Sequence, residues 1–196
     1  MAPLVREHAD LRVLIVGEGP ERRALTDLIA GEGDRREALE ELTAELGLGD
    51  TVMFLGVRTD VPDVLAALDV AVSSSDFEGS PLSVMEFMEA ARPIVATSVG
   101  GVPDLIDDGV HGRLVRAGDV DGLREALREM LDDREAARRM GERAQERRRR
   151  EFDLEVVVRR FEALYERLAQ GGGVPSSYSE LDAGGTRLPA AGVAGS

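Results

Sequence analysis

Cysteine and lysine are both absent from this 196-residue chain. The first absence excludes a disulfide framework, a thiolate metal site and a cysteine nucleophile. The second means that all 24 basic residues are arginine. Long apolar runs are missing as well. None approaches the ~18 residues needed to cross a bilayer, and no signal-peptide pattern opens the chain. Positive charge is outweighed: the formal net charge is -14, which argues against broad nucleic-acid binding through phosphate contacts. A cytoplasmic protein with no nucleic-acid partner is the expectation. With 43% hydrophobic residues the composition is globular, and the length allows one domain with a sizeable core.

Short apolar, β-branched runs recur along the chain: "LRVLIV" (11–16), "VMFL" (52–55), "DVAVSS" (69–74), "PIVAT" (93–97) and "RLV" (113–115). Each reads as a buried strand. Helical stretches fall between them, at roughly 20–30, 35–46, 61–68, 81–91 and 102–107. Alternating strands and helices predict an α/β fold, a Rossmann-like, mostly parallel sheet with helices on both faces. Three further helices form a helical C-terminus. The first carries Leu123, Leu127, Met130 and Leu131 on one apolar face. Residues 4–169 are expected to make the domain, and 170–196 a disordered Gly/Pro/Ser/Ala tail.

In an open parallel sheet, ligands bind beyond the carboxyl ends of the strands. Three glycine-bearing loops follow strands here: "GEGP" with Gly17 and Gly19, "DFEGSP" with Glu78 and Gly79, and "VGG" (99–101). A tight turn explains any one of them; three along one edge favour a site. A dinucleotide fingerprint is not completed, because the third glycine position holds Arg22. In "EGSPLSVMEFMEA", Ser80 suits an N-cap and Pro81 the first helical position. The amides near Leu82 and Ser83 then offer a phosphate-sized anion site at the positive end of the helix dipole. Ser83, Glu86 and Ala90 share a polar-to-small stripe among Leu82, Val84, Met85, Phe87 and Met88, which predicts a partly buried Glu86 in need of hydrogen-bond donors. Taken singly, Glu86 reads as a satisfied carboxylate and Glu78 as a solvated loop charge.

The ordered set of segments carries more. "EGSPLSVMEFMEAARPIVATSVGGVPDLIDDGVHGRLV" resembles the donor half of retaining, two-Rossmann-domain glycosyltransferases of family 4, the glycosyl transferases group 1 with the GT-B type fold. The hallmark is two glutamates with seven residues between them, here Glu78 and Glu86, followed by a strand and loop like "RPIVATSVGGVPD". "LIVGEGPE", "VMFLG", "ALDVAVSSSDFEG", "AGDVDGLREAL" and "FDLEVVVRRFEALYERL" fall in the same order, so the resemblance spans about residues 4–169. It implies a nucleoside-diphosphate sugar as donor substrate, no cofactor and no metal. Glu86 would bind ribose hydroxyls. Glu78, the residue assigned to catalysis, would meet hydroxyls of the transferred sugar, and no protein nucleophile is assigned. The amides of Ser80, Pro81's neighbours Leu82 and Ser83, and the Gly79 turn would receive the diphosphate. Val57 would border the base, with the Gly17–Gly19 loop also lining the donor.

The chain departs from that pattern. The unit "VGRL" followed by "KG", whose Arg and Lys clamp the diphosphate, is not found, and no lysine is available to replace it. An N-terminal acceptor-binding domain is a missing partner by the same comparison, so the chain alone is expected to be inactive. "LIAGEGDRREALEEL" looks like extra helical sequence. Two other readings stay open: a non-catalytic nucleotide-sugar-binding subunit of a split enzyme, and an inert fragment. Weaker signals are set aside. "DVD" (119–121) opens an amphipathic helix with Asp119 as N-cap rather than a metal site. His8 and His111 stand without clustered ligands, and His111 reads as a turn residue. "RRRR" (147–150) reads as a solvated helix face, with an anionic inner membrane surface the weaker reading.

Overall fold

The computed structural model describes residues 2–8, 10–16, 36–79 and 81–175. The chain divides into two compact units, Met1–Arg148 and Arg149–Ser196. In the first, α1 (Ala2–Glu7) leads to β1 (Val13–Val16), then α2 (Arg36–Glu45), β2 (Val52–Gly56), α3 (Val61–Ala66) and β3 (Ala71–Ser73). After these come α4 (Leu82–Glu89), β4 (Ile94–Thr97), α5 (Val102–Leu105), β5 (Arg113–Val115), α6 (Val120–Asp132) and most of α7 (Arg134–Glu151). The strand and helix positions expected from the sequence are found among the described residues, with β1, β3 and β4 shorter than expected, β2 one residue longer and β5 unchanged. The helix expected at 20–30 lies outside those residues.

All strand pairing is parallel. β1 pairs β2, with Val13 opposite Val52 and Ile15 opposite Phe54. β4 lies between β3 and β5, with Val72 opposite Val95 and Ala96 opposite Leu114. The five described strands thus form two ladders, β1–β2 and β3–β4–β5, where the sequence suggests one continuous sheet. Among the described residues β3 pairs along one edge only, with β4. All four residues of β4 are buried, which is what a central parallel strand covered on both faces requires.

Val95 of β4 packs in one cluster with Leu4 of α1, Ala126, Leu127 and Met130 of α6, and Ala137 of α7. The apolar face expected on α6 is therefore its core face. Asp119 caps that helix, accepting from the Gly122 amide at 2.8 Å. Across the top of α6, Arg128 donates twice to Glu7 of α1, at 2.8 and 3.1 Å. That hydrogen-bonded guanidinium holds the Glu7 carboxyl below the usual carboxylate range.

Helix α4 ends in a tight turn. Arg92 N donates to Phe87 O and Ala91 N to Met88 O, both at 3.0 Å, with Ala91 at φ +52°. This is the Schellman arrangement, with alanine in the left-handed position usually given to glycine. The Arg92 side chain covers further open carbonyls, reaching Ala90 O at 2.9 Å and Leu68 O at 3.0 Å. Helix α7 closes over this turn. Gly141 lies so near it that a Cβ there would stand 2.4 Å from Ala91 O. Gln145 donates to Glu89 O at 2.6 Å, and Arg148 pairs with Glu89 at 2.9 Å. Arg147 pairs with Asp107 at 2.9 Å and donates to Asp104 O at 3.1 Å. Arg147 and Arg148 are therefore half-buried tethers of α7, a correction to the solvated face expected of "RRRR", while Arg149 and Arg150 are exposed as expected. A helix that must cover an adjacent turn uses its arginines inward.

The second unit holds the end of α7 and helix α8 (Leu154–Ala169), which opens on Asp153 accepting from Glu155 N at 3.1 Å. Arg160 returns to Glu151 O at 2.6 Å. Leu154, Val158, Phe161, Tyr165 and Leu168 form an exposed apolar stripe on α8. Residues 176–196, most of the expected disordered tail, lie outside the described residues.

The α4–α7 contact makes a test in which the usual sign reverses. Glycine to alanine inside a helix ordinarily stabilises by about 1 kcal/mol. Gly141→Ala should instead destabilise by about 1–3 kcal/mol, because the new methyl meets backbone rather than a flexible side chain. Ala91→Gly should stabilise by about 0.5–1 kcal/mol by relieving the left-handed alanine. Urea melts followed by circular dichroism measure both.

Candidate functional site

The carboxyl ends of β3 and β4 release two loops that lie against each other. From β3 the chain runs Ser74, Ser75, Asp76, Phe77, Glu78 and Gly79; from β4 it runs Ser98, Val99, Gly100 and Gly101 into α5. At the base, Thr97 Oγ1 donates to the Ser75 carbonyl, and Thr97 is itself buried. At the far end the Gly101 amide donates to Gly79 O at 3.2 Å. Between these points Gly100 sits at φ +51°, and a Cβ on it would fall 1.5 Å from the Glu78 carbonyl oxygen. No side chain fits there. A Cβ on Gly101 would stand 2.7 Å from Gly79 O. The close approach permitted by "VGG" is thus made to the Glu78–Gly79 backbone. At Gly79 the opposite holds, since a Cβ built there meets nothing within 4 Å. Open space remains beside the turn.

Glu78 is half-buried, and its Oε1 accepts from Ser75 Oγ at 2.7 Å. Ser73 Oγ lies 3.4 Å behind Ser75 Oγ. Neither serine was singled out by the sequence motifs, although a hydroxyl three residues before a carboxylate across a turn is a readable pattern. Helix α4 begins at Leu82 with the buried Pro81 in the N-cap position and no side-chain cap. That is one residue later than the sequence places the first helical position, a correction. Ser80 itself lies outside the described residues. The Pro81 carbonyl accepts from the amides of Val84 at 3.1 Å and Met85 at 3.3 Å. The amides of Leu82 and Ser83 precede these, where a helix has no acceptors of its own. The first turn of α4 carries no acidic residue, so its positive end is not neutralised from within.

Glu86 is exposed, which corrects the partly buried position expected of it. Helix geometry gives the reason. α4 buries Val84 and Met88, four residues apart, against the sheet, and position 86 falls near the opposite face. Ser83, one turn earlier, is half-buried. Leu82 (65% exposed) and Phe77 (74% exposed) add apolar surface at the same edge. Val57 is exposed at the carboxyl end of β2, after Gly56 at φ +64°, and belongs to the β1–β2 ladder. Gly17 and Gly19 lie outside the described residues.

The structure therefore brings together Glu78, Gly79, Pro81, Leu82, Ser83 and Glu86 on one loop-helix unit. Other groups are committed elsewhere. In "DVD", Asp119 caps α6 and Asp121 pairs with Arg124 at 2.7 Å. His111 is buried and accepts at Nδ1 from the Asp107 amide at 3.2 Å, packing the loop before β5. A concavity of about 380 Å³ lies along β5 and α6, lined by Arg113, Arg116, Asp119 and Glu129 among others. Its buried Arg113 Nε stands 3.2 Å from Glu129 Oε2 without hydrogen-bond alignment, and Arg113 also faces Asp108 at 3.5 Å. Those charges already answer one another, so the site is placed at the β3–β4 edge. Among the described residues no helix is long and apolar enough to cross a membrane.

Comparisons with known proteins agree on the architecture. N-acetyl-alpha-D-glucosaminyl L-malate synthase of Bacillus anthracis is 33% identical over 164 residues, covering 84% of this chain and 39% of that protein. Sucrose-phosphate synthase from Thermosynechococcus elongatus superposes with a TM-score of 0.70 at 25% identity, covering 87% of this chain and 48% of that one. Anabaena HepE, solved in complex with UDP, shares the fold with a TM-score of 0.66 at 23% identity, over 86% of this chain and 52% of that one. The chain thus spans about half or less of the length of these proteins. The parallel α/β, Rossmann-like arrangement expected of a GT-B glycosyltransferase is the one found. Residues 1–147 match the family described as Glycosyl transferases group 1, and the chain belongs to that family.

Proposed function

We propose that this chain binds a nucleoside-diphosphate sugar at the carboxyl edge of β3 and β4 and serves transfer of the sugar with retention at the anomeric carbon. One observation carries the reading. A carboxylate fixed by Ser75 stands beside the uncapped, acid-free start of an eight-residue helix, with open space at the glycine between them. Such an arrangement suits a ligand with an anion at one end and hydroxyls at the other. The diphosphate lies on the amides of Leu82 and Ser83 and at the Ser80 turn. Glu78 accepts from sugar hydroxyls and Glu86 from ribose hydroxyls. The base extends toward Val57 and the Gly17–Gly19 loop. The complex of HepE with UDP supports a nucleotide in this fold.

In transfer, the bond from the anomeric carbon to the β-phosphate oxygen breaks, a bond to an acceptor oxygen forms on the same face, and the acceptor hydroxyl's proton passes to the departing phosphate oxygen. Charge gathers on the departing diphosphate, and helix-terminal amides are placed to stabilise it. The reading needs no metal, because the positive end of α4 takes the place of a cation and the "DVD" carboxylates are used at α6. Acceptor recognition is assigned to a second domain, in cis or in trans, and with it the remaining cationic contacts to the diphosphate. A second reading, a binding subunit without turnover, draws on the absence of lysine. Sugar transfer by the purified chain with mixed acceptors would exclude it, whereas donor binding without transfer is the outcome expected of the chain alone.

Calorimetry with UDP, GDP and ADP and their glucose esters tests the division of labour. Glu86→Ala should weaken the bound diphosphate by about ten- to a hundred-fold, the loss of one charge-assisted hydrogen bond. Glu78→Ala should leave the bare diphosphate within about two-fold while weakening the sugar nucleotide by about ten-fold. Equal losses on both ligands in Glu78→Ala, or a loss confined to the sugar nucleotide in Glu86→Ala, would contradict the split.

The loop contact gives a third expectation. Gly100→Ala must move the Glu78 carbonyl and hold alanine at positive φ, at a combined cost of about 2–5 kcal/mol. Thermal melting should show the destabilisation, and calorimetry should show the sugar nucleotide lost with it. A stable variant with unchanged affinity would separate the loop contact from the site.

A further inference from the structure

Glu78 is held from behind by side chains that face the protein. Ser75 is buried, at 8% exposure, as is Ser73 at 7%, while the turn between Ser75 and Glu78 consists of the exposed Asp76 and Phe77. An ionised carboxylate only accepts, so the single hydroxyl proton of Ser75 goes to Glu78 Oε1 at 2.7 Å. Ser75 can then only accept at its 3.4 Å contact with Ser73 Oγ, which makes Ser73 the donor there. The order of donation is Ser73 to Ser75 to Glu78. Thr97 of the neighbouring strand fixes the backbone at the start of this chain by donating to the Ser75 carbonyl. The Gly101 amide fixes its end at Gly79 O.

We infer that Ser75 is a positioning residue for the donor sugar: by occupying Oε1 it fixes the Glu78 side chain and leaves Oε2 as the oxygen that accepts from a sugar hydroxyl. The inference rests on the proposed donor site. It differs from a turn-stabilising role for Ser75, which would act on the loop whether or not Glu78 carried a carboxylate. Ser75 contributes only through Glu78, and only to the sugar end of the ligand.

A double-mutant cycle separates these roles. Wild type, Ser75→Ala, Glu78→Ala and the double variant are titrated with UDP-, GDP- and ADP-glucose and with the matching diphosphates, with melting temperatures as a control on folding. Ser75→Ala should weaken the sugar nucleotide that the wild type binds by about 3–10-fold and leave the matching diphosphate within about two-fold. In the Glu78→Ala background the same change should have no further effect. If Ser75→Ala fails to fold, Ser75→Cys keeps the volume with a weaker donor and carries the same comparison. Unchanged sugar-nucleotide affinity, equal loss on the diphosphate, or additive losses would each overturn the inference while leaving the donor site standing. A wild-type chain that binds none of these ligands would overturn the donor site and the inference with it.

Discussion

The contact between the Gly100–Gly101 backbone and the Glu78–Gly79 backbone sets the position of every group at the β3–β4 edge. Two loops leaving adjacent parallel strands would ordinarily be held apart by their side chains. Here one loop has none at the point of contact, so a main-chain amide of one meets a main-chain carbonyl of the other at 3.2 Å. Backbone-to-backbone contact is stiffer than contact through side chains, because no rotamer is available to relax it. The Glu78 side chain therefore starts from a fixed Cα, and the α4 amides follow within a few residues. Preorganisation of this kind matters for a polar site, since donors and acceptors already in place cost no rearrangement when a ligand arrives.

Arginine supplies the second constraint. Among the described residues it pairs most often with carboxylates, and at several helix ends and loops it also fastens main-chain carbonyls. Arg92 closes the carbonyls at the ends of α3 and α4, Arg147 closes that of Asp104, and Arg143 donates to Val110 O at 2.7 Å. A planar fork with several donors satisfies such groups in pairs, which a lysine ammonium does less well. Around α4 the consequence is that the far end of the helix is anchored by Arg92, Gln145 and Arg148, whereas its start is left uncapped. The open end is the one that faces the proposed diphosphate.

Much of this was legible in the residues. The strands announce themselves by β-branched runs, and α6 by Leu127 and Met130 on one face, because burial and periodicity are local signals. The two glutamates and the Gly-Ser-Pro turn point to the candidate site. What stayed hidden depended on the partner across space. "VGG" reads the same whether its glycines admit a ligand or another loop, and only the fold shows that Gly100 faces Glu78 O. Ser75 is one of three serines in a row, and which of them turns toward Glu78 depends on the exit angle of β3. The partly buried position of Glu86 follows from apolar neighbours in sequence, but Leu82, two residues before the sheet-facing Val84 and so near the opposite face of the helix, is itself exposed. Neighbours along a helix do not share a face unless they are three or four residues apart.

The exposure of Glu86 removes a difficulty in the proposed complex. A carboxylate near a diphosphate repels it, and the medium decides by how much. At about 4 Å two unit charges repel by ~1 kcal/mol in water but by ~4 kcal/mol at an effective dielectric near 20. A buried Glu86 would therefore oppose the phosphates that the α4 amides attract, and its own desolvation would add to the cost. On the open face it keeps its hydration until ribose hydroxyls replace that water, and its repulsion remains screened. Glu78 differs because its charge is already met by a hydroxyl at 2.7 Å, so part of the desolvation is offset before the ligand binds. A chain of net charge -14 can thus present two carboxylates to an anionic ligand, one tolerated through solvent and the other through Ser75.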